Sequence, residues 1–231
     1  MTRRVLPLAL VALPALLGTQ ALPIPDAFAA PARSTFSIAR LKYGGGGDWY
    51  GNQSSLKNLL AALRDRAGVP IAGDEAPVVT PTDEALFNHP MIFMSGHGNV
   101  KFTPAEVERM RRYLTGGGLL WCDDDFGIDE SFRREMKRIL PDAELVELPY
   151  SHPVFHQLYD FPRGLPKIHE HSGGAAQAFG VFHDGRLVVF YSFDTDLGDG
   201  LEDEGVHPDA PEKREQAFRM ATNIALFALR Q

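Results

Sequence analysis

"MIFMSGHGNVKFTPAEVERMRRYLTGGGLLWCDDD", residues 91–125, decides the fold. It opens on a continuous apolar run of strand length, 91–95, as expected for a strand covered on both faces. Thr103 and Glu106 stand in capping-box spacing with Pro104 at the first helical position, and glycines 116–118 stop the helix that follows. "LLWC" at 119–122 is the next apolar run. Strand, helix and strand at this spacing predict two parallel neighbours joined by a crossover helix.

The same alternation extends both ways. Upstream, 35–43 reads as a strand, Leu56, Leu59, Leu60 and Leu63 recur at helical spacing up to Gly68, "PVVT" at 77–80 is a short strand, and Thr82 starts a brief helical turn. Downstream, a helix carries Phe132, Met136, Ile139 and Leu140, and 144–148 is a strand. A loop-rich segment, 149–174, concentrates proline and histidine. Residues 178–193 then form a hairpin through Asp184-Gly185, a pair suited to a tight primed turn. A last helix from about Pro211 presents Phe218, Ala221, Ile224, Ala225 and Ala228. The predicted fold is a three-layer α/β sandwich, a mostly parallel sheet with helices on both faces and a C-terminal antiparallel hairpin.

The chain of 231 residues is 44% hydrophobic, enough for one substantial core. Its start, "MTRRVLPLALVALPALLG", places Arg3 and Arg4 before an apolar run, and "AFA" at 27–29 offers a cleavage site. Residues 1–29 therefore read as a secretory signal, by the Sec or Tat route, with 30–34 a linker and 35–231 a single domain. The expected location is periplasmic or extracellular, with no stable membrane insertion after cleavage. Removing residues 1–29 takes two arginines and Asp26 with it and moves the net charge from −7 to −8. So acidic a protein is poorly suited to nucleic acid or anionic lipid. Cys122 is the only cysteine, so no internal disulfide forms.

In open α/β sheets ligands bind beyond the carboxyl ends of the strands. Five strand exits here carry glycines or chemically capable side chains: "GGGGDW" at 44–49, Gly96-His97-Gly98, Asp123-Asp124-Asp125, Ser151-His152-Pro153 and Asp194-Thr195-Asp196. The candidate ligand-binding residues are Gly46, Gly47, Asp48, Trp49, His97, Asp124 and His152. The glycines serve either a tight turn or the approach of a ligand to the backbone. Candidate ligands for a divalent metal, the one cofactor considered, are His97, Asp123, Asp124, His152, His169 and His171. The last two lie two residues apart and would need a remote carboxylate. Cys122 lacks the small flanking residues of a nucleophile elbow and has carboxylate neighbours, which argues against a thiolate nucleophile.

"ARLKYGGGGDWY", "MSGHG", "YLTGGGLLWCDDD", "LPYSHPVF", "GRLVVFYSFDTDLG" and "NIALFAL" together resemble a bacterial family known as domain of unknown function 4159, over about Phe36 to Leu229. The resemblance implies a flavodoxin-like sheet of the class I glutamine amidotransferase-like superfamily. Amidotransferase members of that superfamily use a Cys-His-Glu triad. Without a Gly-x-Cys-x-Gly here, glutaminase activity does not carry over, and the family itself has no assigned reaction. Three readings stand on the sequence. One is an exported module binding a small polar or saccharide ligand at the sheet rim, one a metal-dependent hydrolase, and one a structural subunit docking an envelope protein.

Overall fold

A computed structural model describes residues 35–171 and 173–231. The expected leader and linker lie outside them. Seven strands form one sheet in the order β2-β1-β3-β4-β7-β6-β5, with β1 Ile38–Leu41, β2 Val78–Val79, β3 Met91–Met94, β4 Leu119–Asp123, β5 Val146–Glu147, β6 Gln177–His183 and β7 Arg186–Phe193. β2, β1, β3, β4 and β7 run parallel, while β6 is antiparallel to both β7 and β5. The hairpin is thus not an appendage. β7 takes the fifth place of the parallel set beside β4, and β6 with β5 extends the sheet outward.

Side-chain alternation divides each central strand between two cores. Met91, Phe93, Leu119 and Trp121 face α1 (Ser55–Ala67) and α5 (Pro211–Ala228), while Ile92, Met94, Leu120 and Cys122 face α2 (Pro104–Thr115) and α3 (Asp129–Ile139). All eight are at most 1% exposed, which is why these strands read as unbroken apolar runs. Each such leucine, isoleucine or phenylalanine contributes about 1.5–3 kcal/mol of burial.

The local signals act as the sequence predicts. Thr103 and Glu106 make both hydrogen bonds of the capping box on α2. Gly68 ends α1 in the left-handed conformation, with φ +64°. Asp184 and Gly185 turn the hairpin with φ of +48° and +77°, the positive pair a type I′ turn requires. A fourth short helix, α4 (Leu197–Gly200), follows β7. Among the described residues no helix is long and apolar enough to cross a membrane.

Candidate metal centre

At the carboxyl ends of β4 and β7 the chain packs an unusual density of carboxylates. Asp123 ends β4 fully buried, accepting hydrogen bonds from the Ser192 hydroxyl and from the Gly198 N–H at 2.6 Å. Gly198 sits so close that a Cβ there would meet Asn52 Nδ2 at 2.2 Å. Asn52 in turn donates Nδ2 to Asp125 Oδ1 at 3.2 Å. Burial first, then neighbouring negative charges including Asp196 and Asp199, hold both Asp123 and Asp125 well above the usual carboxylate range. Arg40 is the nearby cation, yet its guanidinium donates to the carbonyls of Gly51 (2.7 Å) and Asn52 (2.6 Å).

Above this layer three histidines meet four more carboxylates. Thr195, one residue beyond β7's exit aspartate, accepts from the N–H groups of Ile168 (3.0 Å) and His169 (3.3 Å), pinning the 166–171 segment to the rim. His169 Nδ1 then lies 3.2 Å from Asp196 Oδ2 and 3.1 Å from Asp199 Oδ2, and its Nε2 lies 2.8 Å from Asp209 Oδ1. His171 Nε2 contacts the same Asp196 Oδ2. His207 Nε2 approaches Asp199 Oδ1 at 3.6 Å and Glu202 Oε2 at 3.7 Å. Two ligand sets result, His169–His171–Asp196 and His169–Asp199–His207, each with its donor atoms within 4.8 Å of one another. Hydrogen bonds to Asp196 and Asp199 raise His169 to about 10.

The decisive detail is Asp196. Its side chain is 1% exposed, its backbone is held at φ +61°, and Oδ1 has no hydrogen-bond partner among the described residues. Two carboxylates about 4 Å apart repel by about 4 kcal/mol at an effective dielectric of 20. A cation seated beside Asp196 would satisfy its buried Oδ1 and face the imidazole nitrogens of the partly exposed His169 and His171. Imidazole and carboxylate together suit zinc, manganese or iron. Asp209 on the far nitrogen of His169 repeats the carboxylate–histidine–metal arrangement that fixes a ligand's tautomer.

The other sequence candidates go elsewhere. Asp48 accepts from the His97 N–H, and its Oδ2 lies 3.1 Å from His97 Nδ1. Burial pushes Asp48 up, but these bonds outweigh it and leave the carboxyl below its usual range. The pair clamps the glycine loop to the 96–101 loop, aided by Gly47 N–H to Asn99 O (3.1 Å) and Lys101 N–H to Gly44 O (2.9 Å). Gly46 stands at φ +95° with open space around it, whereas a Cβ on Gly47 would meet His97 O at 2.7 Å. Trp49 lies under Lys42, whose Nζ is 5.1 Å from the ring centroid. Asp124 accepts from Ile128 N–H and from the Tyr191 hydroxyl, both at 3.3 Å.

His152 does not join the rim. Its ring lies 6.0 Å from Phe182 and 5.3 Å from Phe227. Phe182 pairs with Leu187 at the start of β7, so this is the opposite end of the sheet. The chain doubles back after Pro149 through a 3₁₀ turn at Pro153–Phe155, and aromatic packing claims the imidazole. Of the six metal candidates, His169 and His171 come together, and the remote carboxylate they required is Asp196. Asp199, Glu202, His207 and Asp209 were not among the candidates. Seven acidic residues and one histidine within 194–209 are the signal that could have found them.

Cys122 is fully buried, and burial first, then Asp124, pushes its thiol up. Cys122→Ala is expected to leave metal uptake at wild-type stoichiometry while costing about 1 kcal/mol of stability through the small cavity. Metal analysis alongside denaturant unfolding reads both, and a Cys122→Ala protein that folds but binds no metal would contradict this placement.

The model of a family described as a domain of unknown function (DUF4159) matches residues 37–229. No curated protein matches the chain.

Proposed function

The chain belongs to the DUF4159 family, whose description assigns no reaction, and from that premise we propose that it is a metal-dependent hydrolase acting outside the cytoplasm. The observation that carries this reading is the orphaned, buried Oδ1 of Asp196 among His169, His171 and Asp199. We further propose the class I glutamine amidotransferase-like superfamily as the origin of the fold. The absent Gly-x-Cys-x-Gly and the buried thiol of Cys122 support a member that has dropped thiol chemistry. The signal-like residues 1–29 support export.

His169, His171 and Asp196 would hold the ion, leaving at least one position open as catalytic sites do. A divalent ion bound there lowers the pKa of its water towards neutrality and polarises a carbonyl or phosphoryl oxygen. Asp209 keeps His169 oriented through Nε2, and Lys213 Nζ fixes the backbone beneath it by donating to Ile168 O at 2.6 Å. His207, its Nε2 towards Asp199 and Glu202, would complete the second ligand set with His169 and Asp199.

A panel of chromogenic esters, amides and phosphodiesters tests the reading. Hydrolysis of at least one class is expected in protein reconstituted with zinc or manganese, falling by about 100-fold or more with chelator and returning on re-addition. Metal-loaded protein inert to every class would reduce the site to a structural one.

A further inference from the structure

We propose that the recess beside His171 is the substrate subsite of this metal centre and that it takes the cationic amine end of a small, ring-bearing molecule. The inference rests on the metal-centre reading for its role, but not for its binding chemistry. The recess has a volume of about 180 Å³, room for one ring, and is lined by Phe126, His171, Phe193, Asp124, Asp129 and Asp194 with Gly127.

Phe126 is the anomaly. The residue is 54% exposed, where burial cannot explain an aromatic ring, and its backbone has φ +152°, a region rarely open to a phenylalanine. The ring stacks on His171 at 5.1 Å with an interplanar angle of 29°. Its backbone is bridged to that of His97 across the rim. Strain of this kind persists where surrounding structure enforces it, and it clusters at ligand sites.

The lining chemistry then selects the ligand. Aromatic faces attract an ammonium group, most strongly where water is excluded. Three carboxylates share the wall, and among the described residues no lysine or arginine lines the recess, the Arg133 guanidinium standing 6.0 Å from the Phe193 ring centroid. Asp129 is answered by Arg133 at 2.7 Å and Asp194 by Lys167 at 2.7 Å. Asp124, 3% exposed, receives among the described residues the neutral Ile128 N–H and Tyr191 hydroxyl. An ammonium group supplies the missing charge there, whereas a carboxylate or phosphate is repelled. His171 belongs to both places, its ring forming the recess wall while Nε2 meets Asp196. A molecule seated by its amine would therefore extend its other end towards the ion.

Calorimetric titration with cyclohexylamine, cyclohexanol, cyclohexanecarboxylate and glucose, each with and without zinc, tests this. Cyclohexylamine is expected to bind at least about 10-fold more tightly than cyclohexanol, a difference of about 1.4 kcal/mol, with the carboxylate and glucose weaker still. Phe126→Gly removes the ring at a φ that glycine tolerates, and Asp124→Asn removes the charge. Each should weaken the amine by about 10-fold or more, with zinc stoichiometry unchanged. Equal binding of alcohol and amine, preference for glucose, or a Phe126→Gly protein that binds like wild type would overturn the proposal. Amine selectivity in protein that takes up no zinc would sink the metal reading and keep the subsite. Zinc uptake without amine selectivity would do the reverse.

Discussion

Asp196→Asn is expected to abolish the protein's response to zinc while leaving it folded. Wild type at a zinc concentration 100 times Kd gains about 2.7 kcal/mol by mass action, or roughly 5–10 °C in Tm for a domain of this size. In the variant the shift should vanish, because the lost carboxylate is the atom set on which His169 and His171 converge. Asparagine tolerates the left-handed backbone that Asp196 adopts at φ +61°. It also removes one negative charge from a buried, acidic cluster, so the zinc-free variant should melt no lower than zinc-free wild type. Asp209→Asn should act more gently, weakening zinc by about 10- to 100-fold by loosening the orientation of His169. Thermal unfolding across a zinc titration, with metal analysis after desalting, measures all three proteins. A full zinc response in Asp196→Asn would overturn the site.

Gly45→Ala is expected to cost more stability than any other single change in the glycine run. A Cβ there would stand 2.7 Å from both Asn99 O and Lys101 N, and the backbone is at φ +108°. Strain and crowding together amount to roughly 3 kcal/mol, or about 6–12 °C in Tm. Gly47→Ala should follow, with an ordinary φ but backbone 2.7 Å away, and Gly46→Ala should cost less than either, since its positive φ is the whole penalty. Metal uptake per folded molecule should be unchanged throughout, because the glycines join two loops and none reaches the histidine cluster. Equilibrium unfolding of the single variants decides it. A Gly45→Ala protein as stable as wild type would show that the loop pairing does not constrain residue 45.

Much of the frame was legible from local signals. The capping box at Thr103–Glu106, the stop at Gly68 and the Asp184-Gly185 turn act over a few residues, so their chemistry is written in the order of the chain. Unbroken apolar runs at 91–94 and 119–122 likewise predict strands covered on both faces, because burial on both sides leaves no place for a polar residue. From these the parallel sheet followed, and with it the rim on which to look for chemistry.

The composition of the site was another matter. His97, His152, His169 and His171 are equivalent as letters, and each follows or approaches a strand exit. Only packing separates them. Phe182 and Phe227 claim His152 at the far end of the sheet, Asp48 claims His97 on the surface, and Thr195 draws His169 and His171 beside Asp196. Sequence by itself determined the elements, their parallel arrangement and the acidity of the rim, since each depends on neighbours in the chain. Tertiary structure alone decided which side chains share a centre, because Asn52 meets Asp125, and His169 and His171 meet Asp196, across separations that no local spacing encodes. The same closure left Asp196 Oδ1 buried without a partner among the described residues, and the proposed ion rests on that atom.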